Sequence, residues 1–394
     1  MNEFDFIRRL REQTRSRKHS SRLVTGIGDD ATVISQLAGR AAVVTTDLLA
    51  EGIDFYREAT PPRLLGHKAL AVSLSDIAAM GARPLWSLVS IGLPDDVWND
   101  TFKDEFFEGY LTLADEYGVT LAGGDVSRTV EHVVIDSILL GEVSSGAAVL
   151  RSTAQPGDQI FVTGALGGSA AGLKLIEMGA RVSRQEAAGR RQEDAKVRGT
   201  SPTRGPQTGS PAGVGAVREG SGTEPRPVGV ASGLRTANQS NPRSEDDSIQ
   251  TLLLRHLRPS PRVGWGIVLG EERLASAMID ISDGLSSDLA HLCHESNVGA
   301  LIQSARIPID RDVTTLCGRR ALDPLALALH GGEDFELLFT VHPDNVARLP
   351  KRVDAVAISC IGEITNQAGV IRIAEKNRVW DLKPRGFEHF RKVR

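Results

Sequence analysis

Five short acidic segments, each containing glycine, serine or threonine, recur along the sequence. They are residues 26–30 (GIGDD), 45–47 (TTD), 75–76 (SD), 123–125 (GGD) and 280–284 (DISDG). Carboxylate and hydroxyl oxygens are the ligands that Mg²⁺ prefers, and glycine lets backbone N–H groups approach a phosphate closely. The sequence has no His and Cys cluster of the kind that binds softer metals. The set therefore indicates a site that holds several Mg²⁺ ions against a polyphosphate.

Each of these segments also has an ordinary structural interpretation. Asp and Gly are frequent in turns for conformational reasons alone, so a single segment of this kind is more often a turn than a ligand site. Five such segments in one chain favour the metal and phosphate site. Their spacing does not reveal which substrate carries the phosphate.

The best-known nucleotide-binding motifs are absent from the sequence. It contains no GxxxxGK[ST] phosphate loop and no protein-kinase HRD motif followed by DFG. Residues 164–169 (GALGGS) resemble a phosphate-binding turn at a helix N-terminus. The alternative, simple punctuation between a strand and a helix, is the favoured interpretation of this pattern.

Composition and charge narrow the class of protein. The chain has 394 residues, of which 41% are hydrophobic and 24% charged, as in a globular protein with a sizeable core. A net charge of -4 argues against a nucleic-acid partner. Cys293, Cys317 and Cys360 have no CxxC or zinc-ligand spacing and are expected to be inert thiols. With no secretory signal and no membrane-spanning apolar run, we expect a cytoplasmic protein without a membrane partner.

Hydrophobic periodicity predicts alternating strands and helices, and hence a mixed α/β fold with at least one large sheet. Strands are predicted at residues 42–46, 85–93, 119–122, 133–143, 159–163, 277–281, 335–341, 355–361 and 370–373. Helices are predicted at residues 64–80, 102–117, 252–257 and 284–294. Because ligands of open α/β sheets gather where strands end, the acidic segments are expected to project from strand ends or from a helix.

The organisation of the chain indicates two domains with an insertion in the second. The predicted N-terminal domain spans residues 1–150 and the predicted C-terminal domain spans residues 151–394. Residues 184–247 are rich in Gly, Pro, Ser, Thr, Arg and Gln and show no sustained periodicity. Such a segment cannot bury enough apolar surface to offset the entropy of ordering, and it far exceeds an ordinary loop in length. We therefore predict a disordered insertion at residues 184–247.

Several longer motifs resemble the thiamine-monophosphate kinase family. They are residues 26–31 (GIGDDA), 46–47 (TD) with 51–55 (EGIDF), 68–82 (KALAVSLSDIAAMGA), 123–125 (GGD), 278–285 (MIDISDGL) and 331–337 (GGEDFEL). The resemblance covers nearly the whole chain except the insertion. Selenophosphate synthetase would carry a reactive Cys or selenocysteine near its N-terminus, and the related hydrogenase-maturation protein a C-terminal Cys; the sequence has neither.

The resemblance implies a fold as well as an activity. The fold is α/β (α+β), the two-domain aminoimidazole ribonucleotide synthetase-like fold, with an N-terminal mixed sheet plus helices and a C-terminal α/β domain. The implied activity is ATP-dependent phosphorylation of thiamine monophosphate to thiamine diphosphate, the last step of thiamine diphosphate biosynthesis. The family usually dimerises through its N-terminal sheet, so the resemblance also implies a homodimer.

The resemblance assigns metal and nucleotide contacts by position. The implied Mg²⁺ ligands are Asp30, Thr45, Thr46, Asp47, Asp76, Asp125, Asp280 and Asp283. The implied ATP contacts are Gly124, Asp125, Arg151 and Ser282. The planar guanidinium of Arg151 suits a phosphate because it can bind two oxygens at once, although an ordinary surface arginine is the alternative.

The resemblance also implies contacts with the thiamine acceptor at Asp54, Glu333 and Phe387. Phe387 would stack on the cationic thiazolium, whereas ordinary core packing is the structural alternative. Asp54 departs from the family, which commonly has His in this stretch. Because an ionised Asp cannot donate a hydrogen bond to a phosphate, Asp54 would need a metal between them or a different role.

The implied mechanism is direct in-line transfer of the γ-phosphoryl group of ATP to the acceptor phosphate. That phosphate is largely ionised at neutral pH, so a general base is unnecessary. Two unit charges about 4 Å apart repel by about 4 kcal/mol at an effective dielectric constant of about 20. Mg²⁺ ions held by Asp47, Asp76 and Asp125 would remove this repulsion and support the transfer.

Two other functions stay open at this point. Another ATP-dependent synthetase of the same superfamily, one that phosphorylates an amide or formyl oxygen, would use similar motifs. A nucleotide-binding protein without turnover is the second alternative, although a binding protein needs fewer metal ligands. The acidic set favours the enzyme, with ATP and thiamine monophosphate as its small-molecule partners.

Overall fold

The computed structural model describes residues 9, 12–14, 22–25, 33–34, 37–187, 244–320 and 322–387. Its strands are β1 Leu23–Thr25, β2 Val33–Ile34, β3 Arg40–Ala50, β4 Arg83–Leu93, β5 Thr120–Arg128, β6 Val134–Ser144, β7 Gln159–Thr163, β8 Ala277–Asp280, β9 Gly299–Gln303, β10 Leu337–Val341, β11 Arg352–Val353, β12 Val356–Thr365, β13 Ile371–Glu375 and β14 Arg378–Asp381. Its helices are α1 Pro62–Ala79, α2 Asp95–Trp98, α3 Phe102–Tyr117, α4 Gly168–Glu177, α5 Arg184–Ala187, α6 Glu245–Leu257, α7 Val263–Glu271, α8 Leu285–Glu295, α9 Arg311–Arg320, α10 Pro324–His330 and α11 Pro343–Val346.

The N-terminal part of the chain forms a four-stranded sheet in the order β3-β6-β4-β5. β6 is antiparallel to both β3 and β4, whereas β5 is parallel to β4, to which it is connected through α3. Positions along β3 alternate between partly buried and exposed, as expected for a strand with one face packed on a helix and one face open. The prediction of a strand at residues 42–46 places β3 correctly but makes it too short at both ends.

Helix α1 packs against the strands of this sheet, against α3 and against α7. It begins with Pro62, which is well tolerated because the first N–H of a helix has no intrahelical partner. Glycine allows its neighbours to come close: a Cβ on Gly66 would lie 1.9 Å from the Phe106 carbonyl oxygen. A Cβ on Gly266 of α7 would lie 2.2 Å from the Ala78 carbonyl oxygen. Backbone contacts therefore hold α1 near both of its ends.

The C-terminal part forms a second sheet with the order β14-β13-β9-β12-β7-β10-β8, and β11 pairs with β12. Its strand pairs are antiparallel except for β13 with β9. The strand predicted at residues 159–163 matches β7 at both ends. β8 and β10 are buried at every position, as expected for strands of a sheet covered on both faces.

One hydrophobic core joins the two sheets. Phe161 of β7 stacks on Phe339 of β10 with 5.5 Å between ring centroids, and Phe339 stacks on Trp265 of α7 at 6.4 Å. These rings belong to the same buried cluster as Leu70 and Leu74 of α1. Helix α1 is therefore deeply buried, and a polar side chain on it must find a partner because an unpaired buried polar group is costly.

The predicted fold class is confirmed, because mixed sheets and helices form an N-terminal and a C-terminal part. The last strand of the first sheet ends at Ser144 and the first strand of the second sheet begins at Gln159, on either side of the predicted boundary at residue 150. The domain limits themselves stay a prediction. No helix in the described part of the chain is both long enough and apolar enough to span a lipid bilayer.

The ends of the predicted insertion at residues 184–247 are helical. Helix α5 covers Arg184–Ala187 and α6 begins at Glu245, so the two limits are placed too far out. The first turn of α6 is acidic, and negative side chains at the positive end of the helix dipole stabilise a helix here despite the polar sequence. Residues 188–243 lie outside the described residues, and the predicted disorder of this segment stays a prediction.

Candidate active site

Three aspartates from three different elements meet beside α1. Asp47 lies on β3, Asp76 on α1 and Asp280 at the end of β8. The carboxylate of Asp76 is close enough to the other two to raise the pKa of each. The structure thus brings together three of the predicted Mg²⁺ ligands, which we call the acidic group.

Serine hydroxyls of α1 orient two of these carboxylates. Ser73 Oγ donates a hydrogen bond to Asp47 Oδ2 at 2.7 Å, and Ser75 Oγ donates to Asp280 Oδ2 at 2.8 Å. A hydroxyl fixes the direction of a carboxylate but carries no charge to balance it. The acidic group is therefore positioned by the protein without being neutralised by these serines.

Burial and mutual repulsion change the titration of the acidic group. Burial, followed by the charge of Asp76, raises the pKa of Asp47 from 3.8 to about 7 and that of Asp280 to about 7. Burial also raises the pKa of Asp76, against a hydrogen bond from Thr45 Oγ1 and the charge of Arg151. One buried and two partly buried carboxylates beside the Arg151 guanidinium are suited to bind cations.

The acidic group does not include two other predicted ligands, Thr46 and Asp125. Thr46 Oγ1 donates to Asp136 Oδ1 at 2.6 Å, on the face of β3 opposite to Asp47, because successive strand residues point to opposite faces. Asp125 is exposed, and both it and Asp136 lie opposite Ser90 in the register of β5, β4 and β6. Among the described residues, no hydrogen bond joins Asp125 to the acidic group.

The expectation that the acidic segments lie at strand ends or on a helix is correct for Asp76 and Asp280 and wrong for Asp47 and Asp125. Asp47 lies within β3 and Asp125 within β5, since each strand continues for several residues beyond its aspartate. A polar side chain is compatible with a strand interior when it faces a site or solvent, because strand preference depends on local surroundings.

The turn after β8 carries the predicted ligands Ser282 and Asp283. The backbone N–H groups of Asp283 and Gly284 donate to Asp288 Oδ2 at 3.2 and 2.9 Å, at the start of α8. Burial is the main cause that raises the pKa of Asp288 to about 8. The Ser282 carbonyl oxygen accepts a hydrogen bond from Glu333 N at 2.7 Å. This turn is therefore tied to the loop that carries Glu333.

The remaining predicted metal and ATP contacts lie in different places. Arg151 is exposed, and its charge lowers the pKa of Asp76 and Asp280, so its guanidinium adjoins the acidic group. Gly124 lies within β5, where its register partner is Val89 of β4. Residues 26–30, which include Asp30, lie outside the described residues.

The donors of the acidic group fit Mg²⁺ better than a softer metal, because all of them are oxygens. In the part of the chain that the structure describes, no group of three or more His, Cys, Asp or Glu side chains is arranged so that it could hold a metal ion. Mg²⁺ is usually held by one or two carboxylates and completes its shell with water and substrate phosphate. One or two of the Asp47, Asp76 and Asp280 carboxylates would provide such a partial shell.

A second polar group lies nearer the start of α1. Lys68 Nζ lies 2.8 Å from Glu333 Oε1 and 2.9 Å from Oε2, and His256 Nδ1 lies 3.0 Å from Oε2. Burial alone would raise the pKa of Glu333, but Lys68 and His256 outweigh burial and hold it at about 2. Burial and the Lys68 charge lower the pKa of His256. This ion-pair group of Lys68, Glu333 and His256 is therefore balanced in charge at neutral pH.

The other two predicted acceptor contacts border these groups. Asp54 Oδ2 accepts a hydrogen bond from Ala50 N at 2.8 Å, and Lys68 Nζ lies 3.4 Å from the Asp54 carbonyl oxygen. Asp54 thus closes a turn, and its contact with the acceptor stays a prediction. Phe387 is 51% exposed, and its backbone N donates to the Asp283 carbonyl oxygen at 3.2 Å.

The glycine-rich turn at residues 164–169 is occupied by a carboxylate of the chain itself. Asp334 accepts hydrogen bonds from Gly167 N at 2.7 Å and from Ser169 N at 3.1 Å. Burial raises the pKa of Asp334 to about 7 despite these bonds. A carboxyl group of the chain therefore already accepts the backbone N–H groups at the start of α4. This favours an ordinary strand-to-helix connection over a phosphate-binding turn.

Several residues of these groups were not singled out by the sequence. Ser73 lies inside the motif at residues 68–82 and looks like an ordinary helix residue, whereas Ser75 was named with Asp76 but not as a partner of Asp280. Lys68 carries the clearest signal, because a lysine among apolar helix positions is seldom buried unless it is paired. Asp136 interrupts an apolar strand, whereas His256 follows the insertion without any recognisable motif.

The sequence matches a family model and full-length relatives. The model described as AIR synthase related protein, N-terminal domain, matches residues 28–143. A curated thiamine-monophosphate kinase from Escherichia coli (strain K12) is 32% identical over 395 aligned residues, which cover 98% of each chain. The similarity thus extends over both sheets and over the acidic and ion-pair groups.

Solved structures show the same extent of similarity. The crystal structure of thiamine-monophosphate kinase from Stenotrophomonas maltophilia K279a has 31% sequence identity and a TM-score of 0.70, and covers 96% of this chain and 98% of that chain. A structure of AaThiL complexed with AMPPCP and TMP has 27% identity and a TM-score of 0.66, and covers 98% of this chain and 97% of that chain.

Proposed function

Because the chain belongs to the thiamine-monophosphate kinase family of enzymes, we propose that it transfers the γ-phosphoryl group of ATP to thiamine monophosphate. The product is thiamine diphosphate, and the transfer is direct and in line. The AaThiL structure complexed with AMPPCP, an ATP analogue, and TMP supports the choice of both substrates. No general base is required, since the acceptor phosphate is already an anion near neutral pH.

The convergence of Asp47, Asp76 and Asp280 beside Arg151 is the observation that carries this proposal. Two phosphate groups approach each other only if positive charge lies between them. Each pair of unit charges about 4 Å apart repels by about 4 kcal/mol at an effective dielectric constant of about 20. Bound Mg²⁺ would supply that charge and neutralise the phosphate oxygens during transfer. The acidic group, with three carboxylates near one another, would attract such cations.

The side chains around the acidic group prepare it before the substrates arrive. The hydroxyls of Ser73 and Ser75 hold their carboxylates in fixed directions, so little reorganisation is needed on binding. Arg151 offers a planar pair of donors to the phosphates of ATP. We further propose that Asp125, on β5, provides an oxygen ligand for an additional ion.

Helix α1 sets the distance between the two ends of the acceptor. Lys68 and Asp76 are eight residues apart, which corresponds to about 12 Å along a helix axis. An extended two-ring phosphate ester is long enough to place its rings near Glu333 and Phe387 and its phosphate near Asp76. The acceptor would thus lie along α1, with its reacting phosphate at the acidic group.

An ADP-release assay with the full chain, ATP and Mg²⁺ tests this function. We expect turnover with thiamine monophosphate, little with thiamine, and thiamine diphosphate as the product. A superfamily synthetase would instead release ADP only with an amide or formyl acceptor. ATP binding without ADP release in the presence of thiamine monophosphate would refute the kinase proposal and favour a binding protein.

A homodimer is the final part of the proposal. Val44 and Leu48 lie on the outer face of β3 and are each 61% exposed, although large apolar side chains on a sheet face are usually covered. A second copy of the N-terminal sheet would cover them, in agreement with the dimer that the family resemblance implies. Light scattering coupled to gel filtration should give twice the chain mass.

A further inference from the structure

We propose that Lys68 and His256 are positioning residues that turn Glu333 into a hydrogen-bond acceptor for the amino-substituted ring of the substrate. This inference rests on the proposed function and deepens it, because it names the feature of the acceptor that the ion-pair group recognises. Glu333 contacts the substrate in this scheme, while Lys68 and His256 act through Glu333. The group recognised is an N–H donor, and not the positive charge of the thiazolium ring.

The first support is the burial of the group. Lys68 is 1% exposed and His256 is 6% exposed, whereas Glu333 keeps 28% of its side chain exposed. The carboxylate therefore has one open edge, while the two residues that hold it are closed off from solvent. Lysine is almost never fully buried without a partner, so Lys68 is committed to Glu333.

The second support is the count of hydrogen-bond positions on Glu333. A carboxylate offers about four acceptor positions, two on each oxygen. Oε2 accepts from Lys68 at 2.9 Å and lies 3.0 Å from His256 Nδ1, and Oε1 lies 2.8 Å from Lys68. Oε2 is thus fully used, while Oε1 keeps one acceptor position. That position can accept one donor from a ligand.

The third support is the charge balance. The Lys68 ammonium cancels the Glu333 carboxylate, and burial with the nearby Lys68 charge keeps His256 neutral at neutral pH by lowering its pKa. His256 Nδ1 lies 3.0 Å from Glu333 Oε2 and 3.1 Å from Ser169 Oγ, and since a carboxylate only accepts, we infer the tautomer with the proton on Nδ1. A site without net charge has little attraction for a cation, so its selectivity must come from hydrogen-bond direction.

The backbone at Glu333 holds this orientation at a cost in strain. Glu333 has φ 61°, a left-handed conformation that a residue with a Cβ seldom adopts. Its N–H donates to the Ser282 carbonyl oxygen at 2.7 Å, which fixes the strained residue on the turn after β8. Strained residues of this kind persist where surrounding contacts determine their position, and they concentrate at ligand sites.

The pyrimidine ring of thiamine monophosphate carries an amino group that matches the open position on Oε1. An analogue with a 4-oxo group in its place would present an oxygen to an oxygen and leave the acceptor unpaired. Sites built around a hydrogen bond reject analogues that lack the donor, because the buried partner is then unsatisfied. Since Glu333 is partly exposed, we expect a moderate discrimination of about 10- to 100-fold in kcat/KM.

The test compares thiamine monophosphate with its 4-oxo analogue in the full-length enzyme with ATP and Mg²⁺. In the wild type we expect the analogue to lose most of its kcat/KM through a higher KM, with kcat nearly unchanged. In Lys68→Met and Glu333→Gln we expect the preference to fall to within about threefold, because an unheld carboxylate or an amide no longer presents one defined acceptor. Lys174→Met, at an exposed ion pair with Glu177, should keep the full preference.

The outcomes separate this inference from the proposed function. If the wild type phosphorylates both compounds equally well, the inference fails while the kinase function stands. If the wild type does not phosphorylate thiamine monophosphate, the proposed function itself fails. If Lys68→Met loses activity but keeps its preference for the amino compound, Lys68 has only a structural role. Should Lys68→Met not fold, His256→Asn tests the second positioning residue in the same assay, and a variant that keeps the full preference would overturn the positioning role.

Discussion

The acidic group and the ion-pair group beside α1 differ in whether their charge is balanced within the protein. The acidic group gathers three carboxylates whose pKa values are raised, and hydroxyls that orient them without neutralising them. The ion-pair group closes on itself, with a carboxylate whose pKa is lowered to about 2 by a buried ammonium and a histidine. Each group has one member on the buried helix α1, Asp76 or Lys68, so their difference comes from the side chains that other elements bring to the helix.

This difference indicates what each group is for. A site with excess negative charge is unfavourable until cations bind, so it stores electrostatic energy that metal and phosphate can release. A site that is already balanced gains little from a charged ligand and instead offers fixed hydrogen-bond directions. One end of α1 therefore serves charge neutralisation and the other end serves recognition. The following predictions test this division, starting with the largest expected effect.

Asp76→Asn should give the largest loss, because Asp76 interacts with both other members of the acidic group. We expect kcat to fall about 10³-fold, as for removal of a key electrostatic contact, while the thermal midpoint stays within a few degrees of the wild type. ADP release and circular dichroism measure the two effects. Asp96→Asn, at an exposed ion pair with Arg57, is the matched control and should retain full activity. Unchanged turnover in Asp76→Asn would separate the acidic group from catalysis.

Glu333→Gln should lower stability, because it leaves the Lys68 charge buried without its counter-ion. Breaking a fully buried pair costs 3–5 kcal/mol, so we expect about 2 kcal/mol for this partly exposed one. The pKa of Glu333 falls from 4.5 to about 2 on folding. Its contribution is therefore present above about pH 4.5 and is lost as the pH falls through about 2.

Denaturant unfolding between pH 2 and pH 7 measures this prediction. The difference between wild type and Glu333→Gln should shrink steadily below about pH 4.5. Glu271→Gln, which breaks the exposed pair with Arg83, is the control and should cost less than about 0.5 kcal/mol at any pH. A difference that is the same at pH 2 and pH 7 would mean that the ion pair does not stabilise the fold.

Asp47→Asn should act in the opposite direction and stabilise the metal-free protein. The pKa of Asp47 rises from 3.8 to about 7 on folding, so ionisation costs stability as the pH rises through this range. In EDTA at pH 8 the variant should gain on the order of 1 kcal/mol, or about 2–4 °C in thermal midpoint. The gain should vanish near pH 4.

Adding Mg²⁺ should then stabilise the wild type more than Asp47→Asn, because the asparagine removes one negative ligand. Differential scanning fluorimetry with and without Mg²⁺ measures both parts of this prediction. A variant that is less stable than the wild type at pH 8 in EDTA would show that the acidic group is not under charge repulsion.

Removal of residues 188–243 should have the smallest effect. The flanking segments are held together independently of the insertion, since Ser183 N donates to Gln250 Oε1 at 2.8 Å. With a short Gly and Ser linker in place of the insertion, we expect kcat/KM within about twofold and the thermal midpoint within about 2 °C of the wild type. Loss of folding would show that the insertion is structural.

The parts of the fold that follow a clear period could be predicted from the sequence. The amphipathic helix α3 and the buried strand β7 were placed correctly at both ends. Helix α7 was missed because it is apolar on nearly all sides, with three glycines, and therefore shows no helical period. The short strand β9 was missed for a different reason, because pairing partners far away in sequence stabilise it. Strand β14 forms a hairpin with the neighbouring β13, and it was missed because its four residues, RVWD, show no apolar and polar alternation.

The candidate site was predictable only in part. The acidic segments named Asp47, Asp76 and Asp280, but not that Thr45 and Thr46 would face opposite sides of one strand. That separation follows from strand geometry once β3 is known to continue to Ala50. The ion-pair group was not predictable, because Lys68 and His256 meet Glu333 only in the folded chain. Contacts between such distant positions leave no spacing in the sequence.

The close glycine contacts of α1 predict that substitutions outside the site can impair its function. Gly66 lies two residues before Lys68, and Gly266 touches the backbone of Ala78, two residues after Asp76. A side chain at Gly66 would push the end of α1 that carries Lys68 away from α3. A side chain at Gly266 would displace the end of α1 that carries Asp76. A substitution at Gly66 should therefore resemble variants of the ion-pair group, and one at Gly266 should resemble variants of the acidic group. A search for functional residues confined to polar side chains would miss both positions.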